Sequence, residues 1–113
     1  MPTAIFIHEG NSIDYTPGAD VAAGAVVVLN DLIGVAKTPI AANMLGALAV
    51  KGVFDVPKAS GVGTAIAAGK TVYWDVADEE AKEDSESGAN KLLGKTVLAA
   101  TDDDVLVRVR LSQ

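Results

Sequence analysis

Short apolar runs separated by Gly, Pro, Asn and Asp recur along the whole chain. An amphipathic helix repeats its apolar positions every three to four residues, whereas strands alternate or stay apolar for a few residues between turn signals. The second pattern holds here, and it predicts many short strands, as in a sandwich or a barrel. A first strand is expected over residues 3–9 and another over 12–16, with Gly10-Asn11 as the turn and Pro17-Gly18 as the break that follows. Residues 25–29 (Ala-Val-Val-Val-Leu) are apolar without a gap, as in a strand buried on both faces. The apolar run resumes over 32–36 after Asn30-Asp31, which marks a hairpin whose turn residues tolerate positive φ.

Pro39 and Gly46 interrupt any helix over 40–48, so this stretch reads as a loop leading into a strand over 47–57, with Gly52 at a bulge or bend. Residues 71–76 (Thr-Val-Tyr-Trp-Asp-Val) combine β-branched and aromatic side chains and form the richest strand signal. Two further strands, over 92–100 and 104–111, close the chain. In the last, Arg108 and Arg110 share one face while Val107, Val109 and Leu111 share the other. Residues 77–88 are polar, strongly acidic and without an apolar face. They read as a solvated loop or a short hairpin tip.

Composition narrows the architecture. At 113 residues one compact domain is expected, burying roughly 65 % of its unfolded surface. The expected fold is all-β: a small single-domain antiparallel β-barrel or jelly-roll-like sandwich with little helix, residues 1–10 forming an N-terminal strand or arm and 11–113 the barrel or sandwich. Half the residues are apolar but only 4 % are aromatic. Because the apolar half is mostly Ala and Val, the core is thin, which points toward association with other chains. The chain has no cysteine and so neither disulfides nor thiol chemistry. A net charge of −6 argues against nucleic acid as a partner, since phosphates require clustered Lys and Arg. No apolar run reaches the ~18 residues of a membrane span, so no membrane partner is expected. The start carries no basic n-region and is not expected to be a signal peptide.

Candidate chemistry is sparse. Gly63-Thr64-Ala65-Ile66-Ala67-Ala68-Gly69-Lys70-Thr71 approaches a phosphate-binding loop, but five residues separate the glycines and Thr64 stands where the first glycine belongs. The lysine of such a loop opens a helix, whereas residues 71–76 form a strand. His8 is the only histidine, which leaves histidine metal clusters and Ser-His-Asp sites without partners. Asp102-Asp103-Asp104 reads as a solvated turn, and the acidic run lacks the oxygen spacing of an EF-hand. Arg108 and Arg110 are too few for nucleic acid, and a salt bridge to the acidic loops is the plainer role. No catalytic residue, metal ligand or cofactor is expected, and the chain does not read as an enzyme.

Several segments, in their order and spacing, carry a resemblance. They are Val50-Lys51-Gly52-Val53-Phe54-Asp55-Val56-Pro57-Lys58, then Gly69-Lys70-Thr71-Val72-Tyr73-Trp74-Asp75, Leu93-Gly94-Lys95, and the ending Val107-Arg108-Val109-Arg110-Leu111. Over nearly its whole length the chain resembles the capsid cement, or decoration, proteins of tailed bacteriophages and prophages. The recombinase-like label sometimes attached to such proteins finds no support in the broken phosphate loop.

The resemblance implies a virion structural protein on the outer capsid surface, present in the host cytoplasm during assembly. It implies the major capsid protein as partner, bridging of neighbouring subunits to stabilise the head, and self-association as a trimer or dimer. A non-enzymatic β-barrel binding or adaptor module in phage assembly is the alternative. The extended apolar N-terminus is the expected capsid or oligomer interface, through Thr3, Ile5, Phe6, Ile7 and His8, because such a segment adds readily to a neighbouring sheet edge.

Overall fold

The computed structural model describes residues 4–8 and 10–111. Its strands are β1 (Ser12–Tyr15), β2 (Val26–Leu29), β3 (Leu32–Val35), β4 (Gly46–Ala49), β5 (Gly52–Pro57), β6 (Thr71–Asp75), β7 (Glu80–Lys82), β8 (Lys91–Thr96) and β9 (Leu106–Leu111). One 3-10 turn at Glu86–Gly88 is the sole helical element among the described residues. The strands form a four-stranded sheet, β1-β4-β3-β2, and a five-stranded sheet, β5-β9-β8-β6-β7, with every named pair antiparallel. The five-stranded sheet curls until β5 approaches β7. Its edges do not pair, so the all-β fold is a two-sheet sandwich and not a closed barrel.

The hairpin at Asn30-Asp31 forms as its turn residues suggest. Leu29 lies opposite Leu32, and Asn30 takes φ 56° while Asp31 stays out of the left-handed region. The strand expected over 47–57 is instead two strands in different sheets, β4 and β5, parted at Val50-Lys51. Gly52, at φ 127°, makes the corner, a conformation that an L side chain strains to adopt. The strand expected over 92–100 ends at Thr96. Beyond it Ala100 makes an isolated bridge to Ile66. The acidic run is neither all loop nor all polar: β7 forms within it, pairs with β6, and buries Ala81 to 3 % exposure. A single alanine is too weak an apolar signal to mark a strand among so many carboxylates.

Two cores result. The larger lies between the sheets, where Ile33 and Val35 of β3 meet Val56, Val72, Trp74, Leu93, Val107, Val109 and Leu111. Alternation along β9 puts Val107, Val109 and Leu111 inside and Leu106, Arg108 and Arg110 outside. The smaller core lies on the back of the four-stranded sheet, where Ala36, Ile40 and Leu48 pack with Ile13, Tyr15, Val21, Val27 and Leu29. A bridge between Val21 and Ile40 carries irregular chain over that face. The gapless run of β2 is thereby explained, since Val26 and Val28 serve the large core and Val27 and Leu29 the small one.

Candidate interaction surface

Ala4–His8 form no strand, contrary to the expectation for residues 3–9, so Gly10-Asn11 closes no hairpin; β1 pairs with β4 instead. Thr3 lies outside the described residues. Ile5, Phe6 and Ile7 are 78 %, 78 % and 79 % exposed, and His8 is exposed beside them. Three consecutive large apolar side chains in water are costly at ~25 cal/mol per Å², and such a patch marks a contact.

At one pole of the sandwich the chain is held by a buried ammonium group. Lys58, 3 % exposed, follows directly on β5. Its Nζ donates to the carbonyls of Ala59 (2.7 Å), Thr101 (3.0 Å) and Asp104 (3.0 Å), with Thr64 Oγ1 at 3.5 Å. Its backbone N–H donates to the Val105 carbonyl at 2.9 Å. One cation therefore ties the loop after β5 to the loop before β9. Asp102 and Asp104 complete the join through their own carboxylates, which accept from the backbone N–H groups of Ala65 (2.9 Å) and Thr101 (2.8 Å). The aspartate run is thus a hydrogen-bonded turn. Val62 stands fully exposed at the tip of this pole. Sequence reasoning missed Lys58, because one lysine after a strand looks the same whether it snorkels to water or turns inward.

The remaining charges make ordinary surface contacts. Arg108 donates through Nε and Nη2 to the two carboxylate oxygens of Asp55, at 2.9 and 3.1 Å, directly across the β5–β9 ladder. Its partner is thus a strand residue and not the acidic loops. The guanidinium holds Asp55 below the usual carboxylate range, and Asp55 in turn raises Arg108. In the acidic run Lys82 binds both Asp75 (2.8 Å) and Asp78. Its hydrogen bond is the main cause that lowers the Asp75 carboxyl. The near-phosphate loop is a turn folded on β8: the Gly69 and Lys70 N–H groups donate to the Thr96 carbonyl and Oγ1, at 2.7 and 2.9 Å, and β6 begins at the next residue. No helix N-terminus follows Lys70.

An open cleft of about 510 Å³ separates the β2 edge of one sheet from β5 and the end of β6 in the other. Val26, Val28, Phe54, Val56, Trp74 and Val76 make up half of its lining, and Asp55 and Glu79 also stand in its wall. β2 and β5 are each the last strand of their sheet, so the cleft runs between two edges that have no ladder partner among the described residues.

The molecule therefore offers an exposed apolar segment, a pole tied together by Lys58 and an open cleft between two sheet edges. Residues 7–111 match the phage cement protein family. The chain belongs to that family. Neither a curated protein nor a solved structure matches it. Membership makes the chain a structural protein of the phage capsid, in a family that is non-enzymatic in general. No helix among the described residues of this cement protein is long and apolar enough to cross a membrane.

Proposed function

We propose that this cement protein binds the outer surface of the phage head, bridges neighbouring major capsid subunits and stiffens the shell, acting as a small homo-oligomer, a trimer or a dimer. The reading is carried by the uncovered apolar arm on a sandwich whose family is built into capsids. Thr3, Ile5, Phe6, Ile7 and His8 form the segment through which the chain associates, and the remainder supplies a rigid body. An oligomer suits this work, because several weak contacts made by one body add through effective concentration. The particle exterior is its working place, and the host cytoplasm holds it during assembly.

Co-sedimentation with expanded heads tests the reading. The full chain should pellet with heads, and a chain lacking residues 1–9 should stay in the supernatant while keeping its β-sheet circular dichroism. Unchanged pelleting of the truncated chain removes the arm from the contact. Failure of the full chain to pellet at any salt concentration overturns the capsid reading itself.

A further inference from the structure

The outer face of the five-stranded sheet holds a pairing that the fold does not explain. Arg108 on β9 lies opposite Asp55 on β5, base facing acid, and the two side chains bond. Further along the same face of β9, Arg110 lies opposite Lys95 of β8, base facing base. Like charges directly opposite one another destabilise a ladder. Among the described residues, neither Arg110 nor Lys95 has a carboxylate within ion-pair distance. The row they form runs from Val53 through Arg110 and Lys95 to Thr71. Lys70 stands at its β6 end and Lys51, just before β5, near the other, and all four cations are exposed.

We infer that this outer face of β8 and β9 docks against a carboxylate-bearing surface of the capsid protein. The inference rests on the proposed capsid binding and adds to it the side of the molecule that faces the shell and the charge of its partner.

Position supports it. The N-terminal apolar segment joins the sandwich beside this row, since the Asn11 carbonyl accepts from the Val50 N–H at 3.0 Å, close before Val53. Segment and row therefore border one another, and one partner surface can meet both. The distribution of charge points the same way. Residues 78–86 hold six carboxylates and one lysine, and so most of the net charge of −6. They lie on and around β7, and β6 on one side and β5 on the other stand between β7 and the β8–β9 pair. The molecule is thus an electric dipole. An anionic surface draws it in row first and turns the acidic run away.

The same separation keeps the run from neutralising its own row. It also argues against a second copy as the occupant, because patches on opposite sides join copies head to tail in a line that does not close. Protein carboxylates fit better than nucleic-acid phosphates, since four cations on a chain of net charge −6 are too few to hold a polyphosphate.

Co-sedimentation with expanded heads, from low to high salt, tests the inference on the full chain, on the double variant Lys95→Gln/Arg110→Gln and on Lys37→Glu. Lys37 is an exposed cation after β3, in the other sheet, and its reversal changes the net charge as much as the double variant does. Binding of the full chain should weaken as salt rises. The double variant should bind about tenfold more weakly at low salt, keep its β-sheet circular dichroism, and melt at a higher temperature because the like-charge contact is gone. Lys37→Glu should bind as the full chain does. Equal binding by the double variant and the full chain overturns the inference and leaves the capsid reading standing, as does an equal loss in Lys37→Glu. If the double variant keeps its head binding but loses solution mass by analytical ultracentrifugation, the face belongs to a second copy and the inference fails. It fails too if the double variant loses only an affinity for duplex DNA. A full chain that pellets at no salt concentration overturns this inference and the capsid reading together.

Discussion

The two cores use the same small palette of Ala, Val, Ile and Leu, yet they are built differently. Between the sheets, side chains from regular strands meet across two ladders, and Leu93, Leu111, Val72 and Val109 are fully buried. On the back of the four-stranded sheet, Leu48 and Ala36 are covered by irregular chain through the single bridge of Val21 to Ile40. A region covered by regular strands on both sides has little freedom to relax when an atom is removed or added. One covered by loops can settle. The comparison says that the body of the sandwich is held by the first core, while the second fastens the segments around residues 21 and 40.

Two glycines give the sharpest way to break it. A Cβ on Gly94, which lies opposite Leu111 in the β8–β9 pair, would sit on the Arg110 backbone carbonyl, whereas a Cβ on Gly34 would meet the Leu48 Cβ at 2.8 Å. Backbone in a ladder cannot yield without parting the strands, so Gly94→Ala should abolish folding or cost more than about 4 kcal/mol. Gly34→Ala should cost less, about 1–3 kcal/mol, because the Leu48 Cβ, though fixed to its own backbone, has to give by much less than the Arg110 carbonyl. Urea unfolding of both variants checks the order, and equal losses would mean that the cores are equally rigid.

Truncations should follow the same order with smaller effects. Leu111→Ala is expected to lose about 4 kcal/mol and Leu48→Ala about 2–3 kcal/mol, since the second cavity collapses more easily. Thermal unfolding of the pair measures the gap. Lys58→Met comes next, at about 1–3 kcal/mol for carbonyls left unpaired. Amide exchange should speed up mainly over residues 59–65 and 101–104, with the two cores little changed. Uniformly faster exchange would mean that Lys58 supports the whole body and not one pole.

The smallest effect concerns acid. Lys82 lowers the folded-state pKa of Asp75, so this carboxylate stabilises the fold at pH values above its unfolded pKa near ~4. That contribution fades as pH falls through the lower folded value. Lys82, raised by the same contact, keeps its contribution up to strongly alkaline pH. Asp75→Asn should therefore flatten the acid limb of the stability profile and, because Lys82 loses the partner that raises it, also flatten the strongly alkaline limb, as followed by Trp74 emission.

Much of this was legible along the chain, for identifiable reasons. Alternation along β9 separated Arg108 and Arg110 from Val107, Val109 and Leu111, because a strand points successive side chains to opposite faces. The gapless run of β2 marked burial on both faces, and two cores supply it. Ile5-Phe6-Ile7 has strong β propensity, which predicts a strand at the N-terminus. Yet propensity alone does not make a ladder, and Ala4–His8 form no strand. β7 was hidden because its inward residue is only Ala81.

By itself, then, the sequence settled that this is a β protein, where most of its turns fall, and which residues of its longer strands face inward, since these follow from local periodicity and turn chemistry. Only the tertiary structure decided that β4 and β5 belong to different sheets, that Lys58 points inward to carbonyls brought from residues 43 and 46 positions away, and that a cleft stays open between two sheet edges. Those outcomes depend on which distant segments meet, and no local pattern of apolar and polar residues encodes that meeting.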